Sequence, residues 1–339
     1  MKLTFYPYTL HLKQRFTISS NSRLTTPAIM VEIEHDGVTA YGEASLPPYL
    51  KEDQQSVISF LGKVDLGKYS DPLQTDSILK DIDLIEEGNN AAKAAVDIAL
   101  HDLVGKLLNI PLYQFLNITI RDDLSSSYTI GITAEENLRK RIEEASEYKI
   151  LKVKLGTDDD KKIIRTIGAL TDKPIYVDVN QGWNDKNFAL DMIDFLKEQN
   201  VILVEQPFSK FNFKDTAWLS ERSSLPIIAD EAVQGLKDLE KIKGIYSGVN
   251  VKLMKAGGIK KVYQMILKAK NLNLNVMIGC MTETSCAITA ASHLSPLADW
   301  IDLDGAELIS NDLFIGMKIL DGIVMIPESP GLGVQKLTN

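Results

Sequence analysis

The chain has 339 residues, of which 45% are hydrophobic and 24% charged, so it can bury a large core and is longer than one average domain. Its net charge of −9 and the lack of a basic block make nucleic acid a poor partner, and no apolar run is long enough to predict a membrane partner. The two cysteines, Cys280 and Cys286, have neither disulfide-framework nor metal-binding spacing, which favours a reduced, cytoplasmic location.

The first 50 residues predict antiparallel strands. Residues 1–13 alternate apolar and polar side chains, as a strand does and a signal peptide does not. Residues 28–34 alternate in the same way, His35-Asp36-Gly37 predicts a tight turn, and residues 38–43 predict the returning strand. The polar segment 17–26 is expected to be a mobile loop, with the composition of an active-site lid.

Residues 54–116 predict helices. Residues 90–106 carry apolar side chains at intervals of three and four, and their many alanines predict close packing against another helix. Strands followed by helices, before any alternation of the two, indicate an α+β unit. We place this capping domain at residues 1–120.

From residue 126 onward, short apolar strands alternate with amphipathic helices such as 137–147 and 189–199. The predicted strands are 128–131, 151–155, 175–178, 202–205, 227–230, 249–252, 276–279 and 300–302. This order predicts an α/β fold, a modified TIM barrel, (β/α)7-8, over residues 121–320. A doubly wound sheet is the alternative, but sites on six or more strand ends converge only if the sheet closes. Residues 321–339 predict a strand-and-turn segment that returns to the capping domain.

Three of these strands end in a carboxylate: Asp178, Glu205 and Asp230. Their intervals, from 178 to 205 and from 205 to 230, are 27 and 25 residues, close to the length of one βα repeat. One such acid alone is more often a helix cap or an ion-pair partner. Three at repeat spacing predict a site for a divalent cation, and oxygen ligands without histidine favour Mg²⁺ over zinc. Asn180 and Glu231 are candidate auxiliary ligands.

Lysines end two other strands. Lys152 and Lys154 are two residues apart and should face the same side of their strand, and Lys252 ends the sixth barrel strand, across the barrel. Mutual repulsion and burial are expected to lower the pKa of the first two, which would make a usable general base. Lysines on both sides of a metal suit removal and return of a proton next to a carboxylate. Lys255 is equally compatible with a solvated surface charge.

Together, these motifs resemble the enolase superfamily, muconate-lactonising subgroup, over nearly the whole chain. They are Lys152-Val-Lys154, Asp178-x-Asn180, Val204–Pro207, Ala229–Glu231 and Asn250–Gly258. The segments 40–44 and 95–106 resemble that family's capping domain and its hinge into the barrel. Within the subgroup, Asp302-Leu303-Asp304 and Gly279–Ser285 are similar to the corresponding segments of dipeptide epimerases.

The resemblance implies Mg²⁺-dependent epimerisation of an Ala-X dipeptide at its C-terminal residue, by two-base proton abstraction through an enediolate. It implies that Asp178, Glu205 and Asp230 bind the metal and that Lys154 and Lys252 are the acid/base catalysts. It implies substrate contacts as well: Lys152 beside the carboxylate, Asp302 and Asp304 at the α-ammonium, and Thr129, Cys280 and Thr282 along the dipeptide. Barrels of this family often form homo-oligomers, although one sequence identifies no interface.

One position departs from the resemblance. Epimerases that prefer a C-terminal glutamate are expected to have an arginine five residues after Phe16, but that position is Asn21, and the nearest arginine is Arg23. Loss of a bidentate guanidinium predicts that X is small or apolar, such as alanine or valine.

The sequence is also compatible with two other functions. A muconate cycloisomerase or an o-succinylbenzoate synthase of the same subgroup would share the metal acids and lysines but bind no substrate ammonium, so Asp302 and Asp304 discriminate against it. A non-catalytic ligand-binding or scaffold protein on the same barrel should have lost at least one of those acids or lysines, and all are present here.

Overall fold

The computed structural model describes residues 1–19 and 21–338. It begins with a three-stranded antiparallel sheet in the order β1-β2-β3, formed by β1 (Lys2–Ile18), β2 (Asn21–His35) and β3 (Val38–Ser45). Asp36 and Gly37 have φ angles of 48° and 78°, which turn the chain sharply between β2 and β3. The turn is where the sequence predicts it.

The expected mobile loop at residues 17–26 is instead the end of a β-hairpin. Thr17 pairs with Ser22, and Ile18 pairs with Asn21, so both strands continue almost to the tip. The β-branched residues of this segment favour extended backbone. A register shift between His11 and Phe16 lies just before the hairpin end. Ser20 lies outside the described residues.

Four helices follow the sheet: α1 (Gln54–Leu61), α2 (Thr75–Ile85), α3 (Asn90–Leu108) and α4 (Leu112–Phe115). Helix α3 packs most extensively against strand β3, and it also contacts helices α1 and α2, as its alanines predict. A Cβ atom on Gly42 of β3 would lie 2.0 Å from the carbonyl oxygen of Ala95. The small side chains therefore let the helix backbone reach the sheet.

Eight parallel strands form the barrel, and neighbours in sequence are neighbours in the sheet. They are β4 (Ser127–Ile130), β5 (Ile150–Lys154), β6 (Ile175–Asp178), β7 (Val201–Glu205), β8 (Ile227–Ala229), β9 (Gly248–Val251), β10 (Asn275–Gly279) and β11 (Trp300–Asp302). An isolated parallel bridge from Ser126 to Ile301 joins the last strand to the first. The hydroxyl of Ser126 also accepts a 2.8 Å bond from the backbone N–H of Leu303. The sheet therefore closes, and the doubly wound alternative is wrong.

The barrel helices are α5 (Glu135–Glu144), α6 (Asp160–Leu170), α7 (Lys186–Lys197), α8 (Phe213–Ser220), α9 (Leu239–Ile242), α10 (Leu253–Ala256), α11 (Ile259–Asn271) and α12 (Ser285–Ser292). Short 3-10 helices span Ser295–Leu297 and Gly305–Leu308, and the second stands where a helix would follow β11. The floor of the barrel is filled by Tyr176, Leu203, Ile228 and Met277. Burying one apolar side chain of this size contributes roughly 1.5–3 kcal/mol. This layer therefore stabilises the part of the barrel that carries the charged groups.

The tail contains four short strands: β12 (Phe314–Ile315), β13 (Lys318–Leu320), β14 (Ile323–Met325) and β15 (Gln335–Lys336). The backbone N–H of Leu332 donates to Asp102 on α3 at 2.9 Å, and the amine of Lys336 lies 2.6 Å from Glu32 on β2. The end of the chain thus contacts the N-terminal helices and sheet. None of the helices among the described residues is both long enough and apolar enough to cross a membrane.

Candidate active site

Three acidic side chains meet at the carboxyl ends of neighbouring barrel strands. Asp178 ends β6 and is paired in register with Glu205, which ends β7, while Asp230 directly follows β8. One carboxylate oxygen from each lies within 4.8 Å of the others. Asp178 and Glu205 are fully buried, and Asp230 is 4% exposed. The structure therefore brings together the three acids that the sequence singles out.

This cluster fits a divalent cation. All its donors are carboxylate oxygens, the ligand type that Mg²⁺ prefers. Oε2 of Glu205 is buried and has no hydrogen-bond partner within residues 1–19 and 21–338, although the amine of Lys152 lies 2.7 Å away in a geometry unsuited to a hydrogen bond. Burial and the neighbouring Asp178 raise the pKa of Glu205 to about 7. A positive charge between the acids would remove that repulsion.

Two lysines approach the acids from opposite flanks. The amine of Lys154, at the end of β5, donates to Oδ2 of Asp178 at 2.5 Å. The amine of Lys252, directly after β9, donates to Oδ2 of Asp230 at 2.8 Å. Strands β6 to β8 lie between them. Among the described residues, each amine is hydrogen-bonded to one carboxylate.

Lys152 lies beneath the acids, 1% exposed. Its amine is 2.7 Å from Asp302, 2.7 Å from Glu205 and 3.3 Å from Asp178. Burial favours the neutral amine, but the three carboxylates outweigh it and raise the pKa of Lys152 well above its usual value. The expected lowering is wrong because it considered repulsion between lysines and not the acids that surround them.

Lys255 is not a solvated surface charge, since only 5% of it is exposed. Its amine donates to the carbonyl oxygen of Asp230 at 2.8 Å, to the carbonyl oxygen of Asn250 at 3.0 Å and to Oδ1 of Asp230. Three acceptors use all three of its hydrogens. Burial raises the pKa of Asp230, but Lys252 and Lys255 outweigh burial and hold it well below its usual range.

The two acids at the eighth strand have separate partners. Asp302 accepts bonds from Lys152 at 2.7 Å and from the hydroxyl of Ser127 at 2.8 Å. Asp304 accepts bonds from the backbone N–H of Thr129 at 2.6 Å and from its hydroxyl at 3.2 Å. Strand β11 ends at Asp302, so strand alternation does not make the two carboxylates parallel. Burial, together with the charge of Asp302, raises the pKa of Asp304 to about 7.

Arg23, the arginine nearest to the Asn21 position, reaches the loop after β10 from the hairpin. Its Nη2 donates to the hydroxyl of Thr282 at 2.9 Å and its Nε to the hydroxyl of Thr26 at 3.1 Å. The guanidinium lies 5.1 Å from the ring centroid of Phe16 and 5.9 Å from that of Tyr49. Arg23 is only 8% exposed, and its Nη1 has no hydrogen-bond partner among the described residues.

The hairpin also touches the barrel at two further points. The backbone N–H of Ile132 donates to the carbonyl oxygen of Thr17 at 2.9 Å, and the hydroxyl of Ser19 donates to the carbonyl oxygen of Asn180 at 2.9 Å. Asn180 in turn donates from Nδ2 to Glu231 at 3.3 Å. The hairpin therefore spans the mouth of the barrel from the loop after β4 to the loop after β6.

The loop after β10 supplies the remaining predicted residues. Cys280 is partly exposed, and Thr282 is 3% exposed and binds Arg23. Sequence reasoning missed two fully buried acids nearby, Glu43 on β3 and Glu283 in this loop. Burial raises the pKa of Glu43 to about 7 and that of Glu283 to about 8. The available signal was an acid within the otherwise apolar, small-residue segment 40–46.

Two family models match the chain. Residues 4–117 match the mandelate racemase / muconate lactonizing enzyme N-terminal domain, and residues 134–336 match the enolase C-terminal domain-like family. Together these two matches cover most of the chain, which agrees with the fold described above.

Individual relatives share its whole length. The L-Ala-D/L-Glu epimerase of Bacteroides thetaiotaomicron is 50% identical over 99% of this chain and 88% of that protein. The crystal structure of the N-succinyl Arg/Lys racemase from Bacillus cereus has a TM-score of 0.92 at 28% identity, covering 99% and 96% of the two chains. The dipeptide epimerase from Enterococcus faecalis, complexed with Mg and the dipeptide L-Leu-L-Tyr, has a TM-score of 0.91 at 27% identity and 98% coverage of both.

Proposed function

The chain belongs to the mandelate racemase / muconate lactonizing enzyme family of the enolase superfamily, and from that premise we propose that it is a magnesium-dependent dipeptide epimerase. It inverts the configuration at the α-carbon of the C-terminal residue. The observation that carries this proposal is the pair of amines on opposite flanks of the buried acids, Lys154 on Asp178 and Lys252 on Asp230. A two-sided exchange of one proton needs a base on each face of a carbon.

The two lysines share the chemistry. Whichever amine is neutral removes the α-proton from its face, and the other, as an ammonium ion, delivers a proton to the opposite face. After one turnover the protonation states of Lys154 and Lys252 are exchanged, which prepares the enzyme for the opposite configuration. Asp178, Glu205 and Asp230 would hold the Mg²⁺. When bound, the ion supplies positive charge that stabilises the negative charge developing on the substrate carboxylate.

The substrate's α-ammonium binds at Asp304. Asp302 already has the ammonium of Lys152 as its partner, whereas Asp304 accepts bonds only from Thr129 among the described residues. Asp302 adds negative charge nearby. A muconate-type lyase acts on substrates without an ammonium and would have no use for this acid. Cys280 and Thr282 line the dipeptide from the loop after β10.

The dipeptides that the enzyme accepts include those with a C-terminal glutamate. A buried guanidinium with an unpaired nitrogen and no carboxylate partner among residues 1–19 and 21–338 is costly unless an anion completes it. The side-chain carboxylate of a C-terminal glutamate is such an anion. The name of the Bacteroides thetaiotaomicron relative, L-Ala-D/L-Glu epimerase, supports this choice. It replaces the small or apolar residue inferred from Asn21.

We also divide the chain into a capping domain at 1–120, a barrel at 121–320 and a returning segment at 321–339. The hairpin that carries Arg23 belongs to the first, and the metal acids and lysines belong to the second. The substrate therefore binds between the two domains. In this arrangement the barrel supplies the reaction and the capping domain selects the side chain.

The test is α-proton exchange in D₂O, followed by proton NMR. Purified protein with MgCl₂ is expected to exchange and invert the C-terminal α-position of L-Ala-L-Glu, more slowly that of L-Ala-L-Ala and L-Ala-L-Val, and to stop on addition of EDTA. Faster turnover of the small or apolar dipeptides would refute the glutamate preference. Absence of exchange with every dipeptide, beside turnover of a substrate without an ammonium, would refute the epimerase itself.

A matched pair of arginine variants tests the side-chain contact. Arg23→Met is expected to lower kcat/KM for L-Ala-L-Glu roughly 10- to 100-fold, as for loss of a hydrogen bond to a charged group, and that for L-Ala-L-Ala much less. Arg222→Met, at an arginine on the outer surface of the barrel, is the control. Equal losses with both dipeptides would show that Arg23 does not bind the glutamate.

A further inference from the structure

The segment 281–285, which follows β10, is held by the N-terminal sheet. The backbone N–H of Thr284 donates to both carboxylate oxygens of Glu43, at 3.0 and 3.1 Å, and its hydroxyl also donates to Glu43. The hydroxyl of Ser45 donates to the carbonyl oxygen of Thr282 at 2.6 Å. Strand β3 is thus hydrogen-bonded to two residues of the loop after β10, Thr282 and Thr284.

The two residues of β3 that make these contacts lie on the same face of the strand. Glu43 and Ser45 are two residues apart, and both are fully buried. The Glu43 carboxylate accepts hydrogen bonds from both the backbone N–H and the hydroxyl of Thr284. Burying a carboxylate is costly, so its placement at this contact points to a positioning role beyond simple packing. The burial raises the pKa of Glu43 to about 7, while the Thr284 bonds favour its charged form.

The segment 281–285 itself holds the guanidinium of the hairpin. The hydroxyl of Thr282 accepts the Nη2 bond of Arg23, and the only other hydrogen bond of that side chain within the described part of the chain goes to Thr26. A continuous path of contacts therefore runs from Glu43 and Ser45, through Thr284 and Thr282, to Arg23. None of these contacts involves a metal acid or a lysine.

We propose that Glu43 and Ser45 are positioning residues for substrate selection: they fix the segment 281–285 so that Thr282 holds Arg23 where it can bind an acidic side chain of the dipeptide. This inference rests on the proposed function. It assigns selectivity to residues that touch neither the substrate nor the metal. These contacts affect recognition of the dipeptide's C-terminal side chain and leave the proton-transfer groups in place.

Kinetics with two dipeptides provide the first test. Ser45→Ala and Thr284→Val are each expected to raise KM for L-Ala-L-Glu about tenfold, the effect of losing one or two buried hydrogen bonds. For L-Ala-L-Ala, KM and kcat should change less than about twofold, since the barrel groups are untouched. Thr284→Ser keeps the hydroxyl and should restore the wild-type KM. Asp83→Asn, which removes a contact between α2 and α11 elsewhere on the domain boundary, is the control.

Amide hydrogen exchange provides a test that needs no substrate. In Glu43→Gln and Thr284→Val, amides of residues 281–286 and of the hairpin at 21–26 should both exchange faster, and Asp83→Asn should change neither. Equal kinetic losses with both dipeptides, or faster exchange in the loop without any change in the hairpin, would overturn the proposal. Wild-type protein that turns over neither dipeptide would instead count against the proposed function, and the exchange data would still decide the path.

Discussion

The amine of Lys152 lies 2.7 Å from Oδ2 of Asp302, and this ion pair joins the eighth barrel strand to the metal acids. The same amine is 2.7 Å from Glu205, so one buried cation serves acids from two parts of the site. Lys152 is 1% exposed, and Glu205 is fully buried. Such an ion pair is expensive to break, because removal of one partner leaves the others buried and unpaired.

Lys152→Met should therefore destabilise the protein by about 3–5 kcal/mol, the range for breaking a buried ion pair. The loss should shrink when MgCl₂ is added, because a cation at the acids replaces part of the missing charge. Chemical denaturation of both proteins with and without MgCl₂ measures the two differences. A loss of stability that Mg²⁺ does not reduce would contradict the shared-cation explanation.

Exchange experiments should distinguish the proposed roles of Lys154 and Lys252. Lys154→Ala is expected to abolish α-proton exchange of one configuration of the C-terminal residue while retaining slow exchange of the other, and Lys252→Ala should show the reverse. The reason is that, in the proposed mechanism, each amine serves one face of the substrate carbon. Proton NMR of L-Ala-L-Glu and L-Ala-D-Glu in D₂O measures this.

Lys241→Ala, at an exposed lysine on α9, is the control for these variants and should leave both exchange rates unchanged. If Lys154→Ala and Lys252→Ala lost the same configuration, the two-base assignment would be wrong.

Substitution of Lys255 and substitution of Lys252 should have different effects on stability and on α-proton exchange, although both lysines contact Asp230. The three acceptors of Lys255 use all its hydrogens, so Lys255→Met should destabilise the protein by about 3–5 kcal/mol, because it breaks a buried ion pair with Asp230 and leaves two carbonyl oxygens without this donor. Lys252 has one carboxylate partner, and Lys252→Met should cost less stability but remove one direction of exchange. Denaturation curves and exchange rates of the two variants test this pair. A larger stability loss for Lys252→Met would contradict it.

The barrel and the metal acids were predictable because each depends on local pattern. Apolar strands that end in Asp178, Glu205 and Asp230 recur at the length of one βα unit, and parallel strands align their carboxyl ends. The pairing of Lys152 with Asp302 is not predictable in this way, because β5 and β11 come close only when the sheet closes with β4 between them. The sequence likewise shows no spacing that joins Arg23 to Thr282, which are 259 residues apart and meet between the N-terminal hairpin and the loop after β10.

The same distinction explains the errors. The expected lowering of the Lys152 pKa considers a neighbour on the same strand, whereas the carboxylates that raise this pKa come from other strands. Counting from Phe16 places Asn21, and no arginine, at the compared position. It does not show that the paired strands of the hairpin bring Arg23 against Thr282 of the barrel.

A buried histidine makes stability depend on pH. His293, at the end of α12, is fully buried, with its Nε2 atom 3.0 Å from the carbonyl oxygen of Leu332 in the tail. Burial lowers the pKa of His293 from 6.5 to about 4. The unfolded chain therefore binds a proton below pH 6.5 that the folded protein does not bind until about pH 4. The stabilising contribution is complete above pH 6.5 and is lost as the pH falls from 6.5 to 4, by about 3 kcal/mol in total.

The measurement is the free energy of unfolding at several pH values between 7 and 4, for wild type and for His293→Gln. The amide keeps one donor for Leu332 but does not titrate, so the variant should be less stable at pH 7 and lose less stability on acidification. His35→Gln, at a histidine beside the exposed Asp36, is the control and should follow the wild-type curve. Parallel curves for wild type and His293→Gln would show that the buried imidazole does not cause the acid sensitivity. The proton taken up on unfolding would then be bound by other groups.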